Sequence, residues 1–266
     1  MIKKHIPNAI TCCNLLCGCL AIIQAFEGHL VMASYLVILA AIFDFFDGFA
    51  ARLLKVSSAI GKDLDSLADM VTFGVVPGIL MFQLLRNAVI SISGTDDFYY
   101  RIEQSTEQTA TFALFDFDSY TAYHTVPYIA LIIPVFSAIR LAKFNNDTRQ
   151  SESFIGLPTP ANGLFIISLI LVFKFNNRLC NSFLSNTYFL CSLCVILSIL
   201  LIVEIPLFAL KFKNFKWTGN EIRFVFLGLS VLLLVAFQFL GIMLIILLYL
   251  LMSVIHNRIK KNKIHS

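Results

Sequence analysis

A 266-residue chain that is 58% hydrophobic and only 14% charged, with a mean hydropathy of +0.83, is too apolar for an ordinary soluble domain. Apolar stretches of about 15 to 25 residues recur along it, close to the roughly 20 needed to cross a hydrocarbon core, so the expected fold is an all-α polytopic bundle. The net charge of +4 does not point to nucleic acid, because the Lys and Arg lie between apolar segments instead of clustering on one face.

In chain order, eight apolar helices are expected, at 8–27, 29–54, 61–86, 126–146, 160–175, 187–210, 224–239 and 241–256. The opening MIKKHIPNAIT carries two lysines but no small-residue cleavage site after a short apolar core, so the first span is expected to be retained. Read as one helix, 224–256 would run about 50 Å, well beyond the core thickness, which places a turn near Gln238 and Gly241. The polar interruption at 87–125 carries Asp96, Asp97, Glu103, Glu107, Asp116 and Asp118 and is expected as an extracytoplasmic insertion in a single domain spanning 1–266. Its Tyr99, Tyr100, Phe115 and Phe117 suit a membrane interface. The seven cysteines imply no disulfide framework, and the Cys191–Cys194 pair has no nearby His or further Cys to complete a zinc site.

Basic residues enriched in cytoplasmic loops orient this scheme. With the N-terminus inside, the inner segments hold Lys3 and Lys4; Arg52, Lys55 and Lys62; Arg140, Lys143 and Arg149; Lys211, Lys213, Lys216 and Arg223; and Arg258, Lys260, Lys261 and Lys263. Only Arg86, Arg101, Lys174 and Arg178 of the 20 basic residues fall outside. Both termini are therefore expected in the cytoplasm, as an even number of spans requires.

Ionised side chains inside membrane helices cost several kcal/mol each and usually mark function. On the second helix Asp44, Asp47, Gly48, Ala51 and Arg52 are spaced to share one face; on the third, Gly61, Asp65 and Asp69 follow at four-residue steps. Both carboxylate pairs can face one cavity. Four carboxylates together repel unless protonated or bridged by cations, and one Arg cannot balance them as a structural ion network. All-oxygen ligands select hard divalent ions, chiefly Mg²⁺, Mn²⁺ or Ca²⁺, and two such ions would suit phosphoryl transfer. Gly48 would let a substrate approach the helix closely, and Arg52 offers a planar fork for phosphate.

The segment DFFDGFAARLLKVSSAIGKDLDSLAD, residues 44–69, resembles the signature D-x2-D-G-x2-A-R-x8-G-x3-D-x3-D of the CDP-alcohol phosphotransferases at every fixed position. The resemblance implies a core of six of the helices, with Asp44, Asp47, Asp65 and Asp69 binding two divalent metals and Asp69 also accepting a proton. It assigns Gly48 and Arg52 to the CDP group, together with Asn8 and Thr11 at the start of the first helix and Ser58 before Gly61. Asn8 could instead be a helix N-cap beside Pro7. A homodimer in the cell (inner) membrane, with its active site cytoplasmic and membrane lipid around it, is the expected setting; no nucleic acid is involved. Intramembrane prenyltransferases also pair Asp-rich motifs around Mg²⁺, but their motifs usually open with Asn-Asp and lack the D-G-x2-A-R core.

The signature leaves the acceptor alcohol open. The stretches DSLADMVTFGVVPG (65–78), RLAKFN (140–145) and FIGLPTPANG (154–163) resemble the integral-membrane branch of the family that joins CDP-diacylglycerol to L-serine. A serine pocket needs a cation, for which Arg140 is the candidate; Arg140 could equally meet lipid phosphates. The Gly156, Pro158 and Pro160 loop could close over the acceptor or simply join two helices. Glycerol phosphate or inositol phosphate acceptors remain alternatives, with Lys143 and Arg149 as spare cations. A divalent-ion transporter would need a path to the outer face, and the outer half of the second helix, Leu30 to Ile42, has no charged residue.

Charge-based topology makes a direct prediction. With native cysteines replaced, a cysteine at position 97 should react in intact cells with an impermeant thiol reagent, and one at position 262 should not. Labelling at 262 would reject the orientation.

Overall fold

A computed structural model describes residues 5–56, 58–93, 125–147, 154–175, 186–208, 217 and 220–265. Helices α1 (His5–Phe26) and α2 (Leu30–Leu54) form an antiparallel hairpin. Next, α3 (Ala59–Asp69) passes through a π-helical turn, Met70–Val75, directly into α4 (Val76–Ser93). A 3₁₀ turn (Val126–Leu131) leads into α5 (Ile132–Asn146), and the strand β1 (Phe154–Ile155) precedes α6 (Thr159–Phe175). The chain ends through α7 (Thr187–Ile202), β2 (Pro206–Leu207), α8 (Glu221–Phe237) and α9 (Phe239–His265).

All eight expected helices have counterparts, and among the described residues the fold is all-α apart from one two-residue pairing of strands. Three boundaries differ most from expectation; one is the last helix, expected to end at 256, which runs on to His265. The third helix continues to Ser93, so part of the expected 87–125 insertion is helical; residues 94–124 lie outside the described set. The helix expected at 187–210 stops at Ile202, because the chain then extends to pair Phe154 with Leu207 and Ile155 with Pro206. Among the described residues five helical spans are long and apolar enough to cross a membrane, and Thr159–Phe175 and Thr187–Ile202 are apolar but shorter. The protein is an integral membrane protein.

Burial follows the logic of a lipid solvent. Large apolar side chains such as Leu16, Ile23, Met32, Leu39, Phe45 and Val235 are exposed, a surface that water would not tolerate on this scale. Small residues fill the contacts between helices: Ala21 and Ala25 on α1 meet the side of the bundle formed by Ala33, Val37 and Ala40 on α2, all fully buried. Without a hydrophobic drive between helices in lipid, close approach of small residues supplies dispersion contact instead. Helix α6 is buried nearly all round, from Phe165 to Val172, and is the central post of the bundle.

The turns follow local chemistry. Gly28, at φ +81°, reverses the chain between α1 and α2. The turn expected near Gln238 is present, with Gln238 at φ 49° closing α8; a Cβ on Gly241 would come 2.5 Å from the Leu233 carbonyl oxygen, so only glycine permits this reversal. Gly156, at φ +76°, sits against the Leu201 carbonyl, and its N–H donates to the Ile205 carbonyl. The 154–158 loop is thereby tied to the end of α7. Cys12, Cys13, Cys17, Cys19, Cys191 and Cys194 are all free thiols, while Cys180 lies outside the described residues.

Candidate active site

The site is assembled where α2 turns back into α3. Lys55, in the left-handed region at φ 52°, caps α2 with its N–H on the Ala51 and Arg52 carbonyls. Ser58 caps α3, its hydroxyl accepting a hydrogen bond from the Gly61 N–H at 3.0 Å. This short link sets the two carboxylate-bearing faces opposite each other. Asp44, Asp47 and Asp65 each offer an oxygen, and the three oxygens lie within 4.8 Å of one another. Asp47 is the most buried of the three. Its Oδ2 accepts a 2.6 Å hydrogen bond from the Thr11 hydroxyl, which binds α1 to the cluster.

Such a set of hard oxygen donors fits a divalent cation of the Mg²⁺, Mn²⁺ or Ca²⁺ type. Asp69 stands one turn beyond Asp65, outside that group of three, and its side chain is in hydrogen-bonding contact with that of Asp44. Its Oδ1 is buried with no partner.

Beside the cluster opens a cavity of about 250 Å³ lined by Pro7, Asn8, Thr11, Asp47, Gly48, Ala51, Val56, Ser58, Gly61, Lys62 and Asp65. Four of the five residues that the resemblance assigned to CDP (Asn8, Thr11, Gly48 and Ser58) meet there. Each glycine has a separate steric reason. A Cβ on Gly48 would meet nothing within 4 Å, so the absent side chain is room left to the cavity. A Cβ on Gly61 would come 2.9 Å from both Asn8 Oδ1 and Ser58 Oγ, so Gly61 lets α1 and α3 close over the same wall. Asn8 lies inside the first turns of α1, which begins at His5 in the described residues, and is therefore not its N-cap.

The fifth residue, Arg52, is exposed and outside the cavity lining. At about 100° per residue it stands roughly 140° around α2 from Asp47. Lys62 takes a lining position that charge counting had used only for topology; its ammonium donates to the Asn145 carbonyl at 3.2 Å, and the Asn145 amide donates to Ser66 Oγ at 2.8 Å. Its place directly after Gly61 in the signature was the available signal. Arg140 is 5% exposed, which removes the reading that it meets lipid phosphates; its Cζ lies 5.1 Å from the Phe144 ring centre.

Known proteins resemble this chain in sequence. Residues 4–99 match the family model described as CDP-alcohol phosphatidyltransferase. The CDP-diacylglycerol–serine O-phosphatidyltransferase of Bacillus subtilis is 33% identical over 178 residues, covering 65% of this chain and 78% of that protein. The protein of the same name from Helicobacter pylori strain 26695 is 30% identical over 228 residues, 84% of this chain and 79% of that protein. The archaetidylserine synthase of Methanothermobacter thermautotrophicus is 27% identical over 168 residues, 62% of this chain and 58% of that protein. The chain belongs to the CDP-alcohol phosphatidyltransferase family.

The open space at Gly48 yields a prediction. Gly48→Val should leave the fold intact and weaken binding of a CDP-lipid at least about tenfold, or ~1.4 kcal/mol, while Mn²⁺ binding by calorimetry persists. Undiminished CDP-lipid binding would show that the cavity is not the donor site.

Proposed function

We propose that the protein transfers the phosphatidyl group of CDP-diacylglycerol to the hydroxyl of L-serine, releasing CMP and leaving phosphatidylserine in the membrane. The observation that carries this reading is the convergence of Asp44, Asp47 and Asp65 at the edge of a cavity lined by Asn8, Thr11, Gly48 and Ser58. The serine acceptor is supported by the names of the Bacillus and Helicobacter relatives.

In this reading Asp44, Asp47, Asp65 and Asp69 hold two divalent ions, Mg²⁺ or Mn²⁺, which when bound offset the carboxylate charge and that developing on the diphosphate. Asn8, Thr11, Gly48 and Ser58 seat the CDP group, and the exposed Arg52 reaches its phosphates from the rim with a long flexible stem. The serine oxygen bonds to the phosphorus nearest diacylglycerol, the bond from that phosphorus to the bridging oxygen breaks, and CMP departs. Asp69 accepts the hydroxyl proton; its buried Oδ1, with no partner of its own, is suited to that role. Arg140 pairs with the serine carboxylate. The setting is the inner membrane, with the site and both termini cytoplasmic. A homodimer belongs to the same reading, on the family resemblance.

One assay tests the reading and the role of Asp69 together. Purified chain given CDP-diacylglycerol and Mn²⁺ should release CMP with serine, and not with glycerol 3-phosphate or inositol phosphate; excess chelator should abolish release. Preference for either phosphate acceptor would reject serine. Asp69→Asn should lower kcat by about 10²–10⁴-fold with little change in CDP-diacylglycerol affinity. Recovery of most of that rate by raising Mn²⁺ alone would make Asp69 a metal ligand and not the base.

A further inference from the structure

The stretch RLAKFN, residues 140–145, enters the proposed function only through Arg140. Its last residue, Asn145, is half-buried near the end of α5 and meets α3 at two points. The Asn145 carbonyl accepts from the Lys62 ammonium at 3.2 Å, and its side-chain amide donates to Ser66 Oγ at 2.8 Å. The Ser66 hydroxyl in turn donates to the Lys62 carbonyl at 3.2 Å. These three bonds close a ring, from Lys62 to Asn145 to Ser66 and back to Lys62, which joins the end of α5 to α3.

The ring decides where a flexible cation stands. Lys62 lines the cavity, yet Asn145, which holds its ammonium, is not among the lining residues. On α3, Asp65 lies three residues beyond Lys62, the spacing at which side chains on one helix face can meet. Asp65 is one of the three carboxylates whose oxygens lie within 4.8 Å of one another. Lys62 is exposed and has a long rotatable stem, so an unheld ammonium would be drawn to that group, where opposite charge offsets the repulsion. Among the described residues Lys62 forms no ion pair with Asp47 or Asp65; its partner is the Asn145 carbonyl instead. That carbonyl suits the task. Asn145 is next to last in α5, and carbonyls of a final helical turn have no partner inside the helix and carry the negative end of its dipole.

We propose that Asn145 is a positioning residue that acts through Lys62: it keeps the ammonium on the end of α5, off Asp65 and Asp47, and so leaves the three-carboxylate site open to a divalent cation. This rests on the metal-binding part of the reading above. An ammonium on Asp65 would engage an oxygen that the ion needs and cancel part of the charge that attracts it. Asn145 belongs to neither the carboxylate group nor the cavity lining, so its effect has to pass through Lys62.

Mn²⁺ binding to the purified full-length chain, measured by calorimetry without substrate, tests this. Asn145→Ala should raise the Kd for Mn²⁺ about threefold, the scale of one exposed ion pair. Lys62→Met should bind Mn²⁺ as tightly as the unmodified chain or more tightly, and adding it to Asn145→Ala should abolish the loss. The loss in Asn145→Ala should also shrink at high salt, which screens an exposed ammonium–carboxylate pair. Ser66→Ala, which opens the ring on its other side, should show the same Lys62-dependent loss and carries the test if Asn145→Ala does not fold. An unchanged Kd in Asn145→Ala, a loss that persists when Lys62 is also replaced, or weaker Mn²⁺ binding by Lys62→Met alone would overturn the positioning role while the metal reading stands. Failure of the unmodified chain to bind Mn²⁺ would overturn both.

Discussion

The structure depends on holding like charges together in an apolar bundle. Three carboxylate oxygens within 4.8 Å of one another repel on the order of 3 kcal/mol per ionised pair, taking an effective dielectric near 20. The Thr11 hydroxyl contributes about 1.5–3 kcal/mol towards Asp47, enough to orient one carboxylate but not to balance three. A divalent cation offsets the repulsion directly. Until it binds, the packing of α1, α2 and α3 must keep the carboxylates in place, which accounts for the small residues and short caps at these helix contacts.

The π-helical turn after Asp69 is the second device. By placing an extra residue in the turn it changes the face that the rod presents, so that one segment meets three helices. Glycine makes each contact possible. A Cβ on Gly18 would come 2.5 Å from Thr72 Oγ1, one on Gly74 3.0 Å from Ser137, and one on Gly163 3.2 Å from Phe73. The carboxylate helix is therefore fixed by backbone proximity on three sides, and a small shift at any one of them would move Asp65 and Asp69 relative to Asp44.

The same packing leaves several buried polar atoms without partners, each at a cost of about 1–3 kcal/mol. In lipid no compensating exposure is available, so the rest of the packing must offset that cost. The cavity bounded by Gly48, Gly61, Asn8 and Ser58 is open, and in the proposed reading it takes the CDP group.

Composition alone determined that the chain lives in a membrane, and the spacing of Asp44, Asp47, Gly48 and Ala51 determined which face of α2 carries chemistry. The signature through Asp69 extended that to the family. Spacing succeeds within one helix because 100° per residue relates neighbours rigidly. It says much less about side chains on different helices. Only the tertiary structure decided that Lys62 lines the cavity while Arg52 does not, that Asn8 faces Gly61 instead of capping α1, and that Arg140 is buried away from lipid. The meeting of α1, α5 and α6 around residues 70–75 was equally hidden, because those helices are remote in sequence and come together only through helix crossings that a π-helical turn and three glycines permit.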